Sequence, residues 1–213
     1  MRLPDYENQV IIFWVNFGGF MVPQEVFERH AAAYDNWYVE HRKVYRAECE
    51  RIRQGLPAPD ARTVEVGVGS GRFAVPLGIP LGIEPSVSLG RMARQRGVEV
   101  IRGVGEWLPL KDGSCSSVLM VTVICFFDDM ARAFAEAYRV LVPGGVLVAG
   151  FLERGGTVIQ AYLHGDVEHR FLSQGKFHSS GEVRMLLRDV GFDIRSAETE
   201  NDFCVIVAEK NKA

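Results

Sequence analysis

Apolar positions keep a helical period over the N-terminal part of the chain and then alternate between short apolar runs and helical spacing. From Gln24 to Gln54 there is no Gly or Pro, and Phe27, His30, Tyr34, Trp37, His41, Val44, Tyr45, Cys49 and Ile52 recur at helical spacing. This predicts one long helix, or two in line. After the punctuating stretch GLPAPDAR, short apolar runs alternate with helical patterns. Residues 63–67 form a first strand running into a glycine-rich loop, and the helical piece that follows is cut short by Pro76. GIPLGIEP gives a second strand ending at Glu84, Ser86 caps a helix that stops at Gly97, and VEVI is a third strand. SVLMVTVICFF is apolar almost throughout, as expected of a strand buried on both faces of a parallel sheet. Asp128 or Asp129 starts a helix that Pro143 and Gly144 end, and GVLVAGF is the fifth strand. Ser179 with Glu182 is a capping-box signature for a helix ending at Gly191. The last two strands, FDIRSAE and FCVIVAE, are joined by too few residues for a crossover, so the final strand runs antiparallel.

Alternating strands and helices imply right-handed crossovers and an α/β fold: a Rossmann-like, doubly wound sheet of seven mainly parallel strands with an antiparallel last strand. Residues 1–56 form an N-terminal segment and helical cap, and residues 57–213 the sheet domain. Ligands of such sheets bind beyond the carboxyl ends of the strands, where strand order reverses. Gly67–Gly71, Glu84, Gly105–Trp107 and Ile124–Asp128 fall there.

Composition narrows the partners. A formal net charge of -3 without a long basic run gives no electrostatic footprint for a phosphate backbone, which argues against nucleic acid. Cys49, Cys115, Cys125 and Cys204 form no C-x-x-C pair and read as reduced thiols of a cytoplasmic protein. The apolar run at residues 10–22 is too short to span a bilayer, has no basic residues just before it and no cleavage site. A translation start at Met21 is the favoured account of it, beside a peripheral anchor or an oligomer contact. His164, Asp166, Glu168 and His169 in YLHGDVEHRF lack a metal-ligand pattern and read as solvated loop residues, so no metal is expected.

The chemistry lies in VEVGVGSGRF. Gly67, Gly69 and Gly71 follow a strand, but the dinucleotide fingerprint needs a further glycine where this chain has Arg72. Glu84, at the end of the next strand, suits a carboxylate that accepts from both ribose hydroxyls. Together with GIEPS, GEWLPLKDGS and EAYRVLVPGGVL, this stretch resembles the class I S-adenosylmethionine-dependent methyltransferases, in particular their small-molecule, quinone-type branch. The resemblance implies S-adenosylmethionine as cofactor, transfer of its methyl group by in-line displacement, and a small-molecule acceptor. By position it implies that Glu65 and the loop of Gly67, Gly69 and Gly71 hold the methionine moiety and that Glu84 takes the ribose. Gly105 and Glu106 would flank adenine, Ile124 would lie by the ring or sulfonium, and Tyr34 would belong to an aromatic lid. Where many relatives carry an acid for the adenine amino group this chain has Val104, so that contact is absent or falls to Glu106. No motif identifies a base. His41, two turns from Tyr34 along the predicted helix, is the weak candidate, against a packed or surface histidine. A non-catalytic cofactor-binding sensor or partner subunit and an NAD-dependent oxidoreductase are the rival readings.

Overall fold

A computed structural model of the chain describes residues 24–164, 171–172 and 175–212. The apolar run at 10–22, the Met21 start, and Asp166, Glu168 and His169 lie outside the described residues. Seven strands form one sheet: β1 (Thr63–Val66), β2 (Leu81–Ile83), β3 (Glu99–Ile101), β4 (Cys115–Val121), β5 (Leu141–Leu152), β6 (Phe192–Glu200) and β7 (Phe203–Lys210). Their order is β3-β2-β1-β4-β5-β7-β6, with β7 antiparallel to both neighbours and every other pair parallel. Strand order reverses between β1 and β4, which sets the ligand crevice at their carboxyl ends.

Eight helices are described: α1 (Gln24–Arg29), α2 (Ala31–Glu40), α3 (Arg42–Gly55), α4 (Ala74–Leu77), α5 (Val87–Gln95), α6 (Met130–Val140), α7 (Thr157–Leu163) and α8 (Ser180–Val190). One face of the sheet packs on α6 and α8 through Phe134, Ala137, Val183 and Leu187. The other packs on α3, α4 and α5 through Ile52, Ala74 and Ala93. The caps are those the sequence predicts: Ser86 accepts from Leu89 N–H, Asp129 from Arg132 N–H, and Ser179 and Glu182 complete a reciprocal box. The crossover between β1 and β2 holds a single four-residue helix, α4, closed by Gly78 at a φ of 75°.

Two expectations are corrected. The helical stretch 24–54 is three helices, broken at His30 (φ −122°) and His41 (φ −102°). α2 buries Asp35 and Tyr38 beside the glycine loop, and α3 continues the same packing with Tyr45 on that loop and lays Cys49 and Ile52 on the sheet further along. The apolar run of residues 117–127 is not one strand either. β4 ends at Val121, Thr122 takes a left-handed φ of 50° while its N–H bonds Gly150 O, and Ile124–Phe126 form a 3₁₀ turn. No helix among the described residues is long and apolar enough to cross a membrane.

Candidate active site

The loop after β1 holds Gly67, Gly69 and Gly71 at φ of 72°, 54° and 82°, backbone that L side chains rarely adopt. The three differ in surroundings. A Cβ on Gly67 would stand 2.3 Å from a Val123 methyl, and one on Gly71 3.3 Å from Ala93 of α5. A Cβ on Gly69 would meet only the Tyr34 ring, at 3.6 Å. Gly67 and Gly71 therefore serve close packing, while Gly69 leaves room above the loop.

Glu84, just past β2, is buried, and its two oxygens are held apart: Oε2 accepts from Gly69 N–H at 2.8 Å and Oε1 from Ser86 N–H at 2.9 Å. Each oxygen keeps a further lone pair. Burial pushes this carboxyl up to about 7, against the lowering effect of the two backbone bonds. Around it lies a cavity of about 390 Å³ lined by Tyr34, Gly67, Gly69, Glu84, Gly105 and Glu106, so six sequence-predicted positions converge on one space. Gly105 must be glycine, because a Cβ there would stand 2.5 Å from the Phe127 ring. Glu106 is engaged: its Oε1 accepts from Asp128 N–H at 2.8 Å and its carbonyl from Arg132 Nε at 2.9 Å. The Arg132 guanidinium lies 3.2 Å over the ring of exposed Trp107, at the same rim.

Glu65 faces a second, smaller hollow beside the first, bounded by Tyr34, Tyr38, Arg72 and Thr122. It is fully buried, and its Oε2 has no hydrogen-bond partner among the described residues. Desolvation, and then the nearby Glu84 charge, hold its carboxyl well above the ordinary range. The Tyr34 and Tyr38 hydroxyls bond each other at 2.8 Å along one wall, and burial pushes the Tyr34 phenol up to about 12.

Three predicted positions line neither hollow. Gly71 packs on α5, Ile124 is buried in the core, and exposed His41 stacks on Trp37 at 4.5 Å with Nδ1 3.0 Å from Trp37 O. Among the described residues no group of three or more His, Cys, Asp or Glu could hold a metal ion, and His164 is exposed with Nδ1 on Gln160 O. Sequence reasoning missed Thr122, which lines both hollows, and it missed Glu28 and Asp35. Thr122 carried no signal inside an apolar run, and the partners of the two acids are remote along the chain.

Residues 64–149 match the family described as a methyltransferase domain. An uncharacterised protein of Methanocaldococcus jannaschii is 34% identical over 175 residues, which is 82% of this chain and 84% of that one. A malonyl-[acyl-carrier protein] O-methyltransferase of Geobacter sulfurreducens is 34% identical over 201 residues, 82% of this chain and 70% of that one. A solved structure from Thermotoga maritima, a SAM-dependent methyltransferase described as a "possible histamine N-methyltransferase", is similar at a TM-score of 0.82 and 38% identity, covering 89% of this chain and 100% of that one. With the glycine loop, the ribose-suited carboxylate and the strand order already described, this similarity over nearly the whole chain places the protein: it belongs to the class I S-adenosylmethionine-dependent methyltransferases, and S-adenosylmethionine is its cofactor.

Proposed function

We propose that the acceptor is a small molecule with a flat, apolar body, as in the quinone-type branch, and that it is methylated at the carboxyl end of β4. One observation carries this reading: four aromatic rings from four separate segments meet there. Phe27 of α1 stands edge-on to Tyr34 of α2 at 5.2 Å and to Phe126 of the 3₁₀ turn at 5.0 Å. It stacks on Phe171 at 5.3 Å, and Phe171 is also 5.3 Å from Tyr34. Such walls favour planar apolar surfaces.

The residues present fit the cofactor. Glu84 offers the ribose hydroxyls two buried acceptor oxygens already aligned by backbone N–H groups. The unpartnered Glu65 Oε2 gives a buried acceptor beside Gly67 and Gly69 for a group such as the methionine ammonium. Gly105 and Glu106 flank the base with backbone groups. Thr122 and Val123, not Ile124, meet the reacting end, and Gly71 acts through loop packing. When bound, S-adenosylmethionine supplies a methyl group already activated by its sulfonium. The protein's share is to orient the two reactants and exclude water, and orientation supplies roughly 7–11 kcal/mol of barrier lowering. Phe27 and Tyr34 close the cavity from above. No base is assigned, and His41, outside both hollows, is not proposed as one.

Calorimetric titration with S-adenosylmethionine, S-adenosylhomocysteine and NAD, on wild type and Glu84→Ala, tests the site. Label transfer from methyl-tritiated S-adenosylmethionine to a hydroquinone, a phenol, an alkylamine and a malonyl carrier protein tests the acceptor. The reading expects binding of the first two ligands, lost in the variant, and transfer to ring acceptors. Transfer to the carrier protein alone overturns the small-molecule reading. Cofactor binding with no transfer to any acceptor favours the sensor, and NAD binding alone the oxidoreductase.

A further inference from the structure

The two lid helices repeat one device at a seven-residue interval: an aromatic residue lining the cavity is followed directly by an acid bonded to a loop of the cofactor site. In α1 the pair is Phe27 and Glu28, and in α2 it is Tyr34 and Asp35. Asp35 is buried and reaches the glycine loop. Its Oδ1 accepts from Ser70 Oγ at 2.6 Å, from Arg72 Nε at 2.8 Å and from Arg96 Nη1 at 2.8 Å. Its Oδ2 accepts from Arg72 Nη2 at 2.5 Å and Arg96 Nη2 at 2.8 Å, and Arg96 Nη1 also donates to Ser70 O at 2.6 Å. Arg72, the residue that breaks the dinucleotide fingerprint, is thus half of a two-guanidinium clamp on a lid carboxylate. Glu28 reaches the end of the loop after β2 and the first turn of α5. Its Oε2 accepts from Ser86 Oγ at 2.6 Å and Ser88 N–H at 3.1 Å, and its Oε1 from Ser88 Oγ at 2.6 Å. Ser86 is also the residue whose N–H holds Glu84.

We propose that Asp35 and Glu28 are positioning residues for the cofactor: by latching α2 to the glycine loop and α1 to the loop after β2, they keep Tyr34 and Phe27 closed over the bound ligand and set its rate of release. Hydrogen bonds that join charged groups are the strong ones, and forked Arg–carboxylate pairs fix geometry as well as distance. Apart from Asp35, α2 is held through Ala31 and Tyr38, which is buried against Phe73 and Tyr45, while its outer face meets solvent. Ala32, Ala33, Asn36, Val39 and Glu40 are exposed, and the backbone leaves helical values at His30 and His41 on either side. The inference rests on assigning the glycine loop and Glu84 to the cofactor.

The test uses the full chain and S-adenosylhomocysteine as probe, with dissociation followed by surface plasmon resonance and backbone hydrogen exchange measured on the ligand-free protein. Asp35→Asn is expected to speed dissociation at least ten-fold. It is also expected to speed exchange across residues 24–40 by a similar factor, while β1 and β4 keep wild-type protection. Glu28→Gln is expected to shift both readouts the same way, less strongly. Arg72→Lys keeps the charge but loses the fork, and carries the test if Asp35→Asn does not fold. Dissociation within two-fold of wild type in Glu28→Gln and in either Asp35→Asn or Arg72→Lys overturns the latch. Glu84→Ala separates the two ways of failing. If it leaves affinity unchanged, the site assignment is at fault; if it abolishes binding while the latch variants release normally, the latch alone is wrong.

Discussion

Glu84 links protonation to stability and, as the proposed ribose acceptor, to binding. Its carboxyl titrates near 7 in the fold because burial penalises the charge, against an ordinary value of 4.5. A folded-state value raised above the unfolded one means that the native state binds the extra proton, so stability falls as pH rises from 4.5 to 7. Glu48 of α3, also pushed to about 7 by burial, acts in the same direction. Cofactor binding runs the opposite way, since ribose hydroxyls donate best to the ionised form. Affinity for S-adenosylhomocysteine is therefore expected to rise about ten-fold per pH unit up to pH 7 and then level off, whereas Glu84→Gln is expected to lose that rise except for what Glu65 contributes; calorimetry between pH 5.5 and 8 reads both. The glycines allow a second test at this scale. Gly67→Ala combines a positive φ with a clash against Val123 and is expected to cost about 3 kcal/mol. Gly69→Ala has only the backbone term, about 1–2 kcal/mol, and urea unfolding of the two variants ranks them. The resemblance assigns the backbone approach to Gly67 and Gly69 and leaves Gly71 as part of the same loop. Which of them packs and which faces the cavity depended on Val123, Ala93 and Tyr34, residues that approach only in the fold.

At the scale of elements, α3 is fastened to the far edge of the sheet by Arg51. Its Nη1 donates to Glu200 O and Phe203 O and its Nη2 to Glu198 O, carbonyls of the β6–β7 hairpin. Arg51→Met removes three hydrogen bonds from a charged donor, and a loss of about 2–3 kcal/mol is expected, because solvent takes over part of what is lost. Exchange should quicken in residues 198–203 while α6 stays protected. Caps and turns were legible at this scale because they are local: Ser86, Ser179 with Glu182, and Gly191 meet their partners within a few residues. The breaks at His30 and His41 were not legible. Helical periodicity runs through both, and only the backbone dihedrals at the two histidines, which the sequence pattern does not mark, show the change of direction. Thr122 hid in the same way inside a run that reads as strand.

For the whole molecule, a ligand that binds only the folded form stabilises it by mass action. S-adenosylhomocysteine at 100 times its dissociation constant adds about 2.7 kcal/mol, which in a domain of this size raises the melting temperature by roughly 5–11 °C. NAD at the same concentration is expected to leave it unchanged. Differential scanning fluorimetry gives both numbers in one plate, and a rise with NAD alone would contradict the family's cofactor at this site.

The sequence by itself determined the alternation of strands and helices, the antiparallel last strand, the caps and the glycine loop with Glu84 beyond the next strand. These follow from periodicity, connection length and contacts between near neighbours. Only the tertiary structure decided that Ile124 is core, that His41 lines neither hollow, and that Arg72 and Arg96 close on Asp35. Each of those outcomes depends on which distant segments share a few ångströms of space, and neither spacing nor composition encodes that by itself.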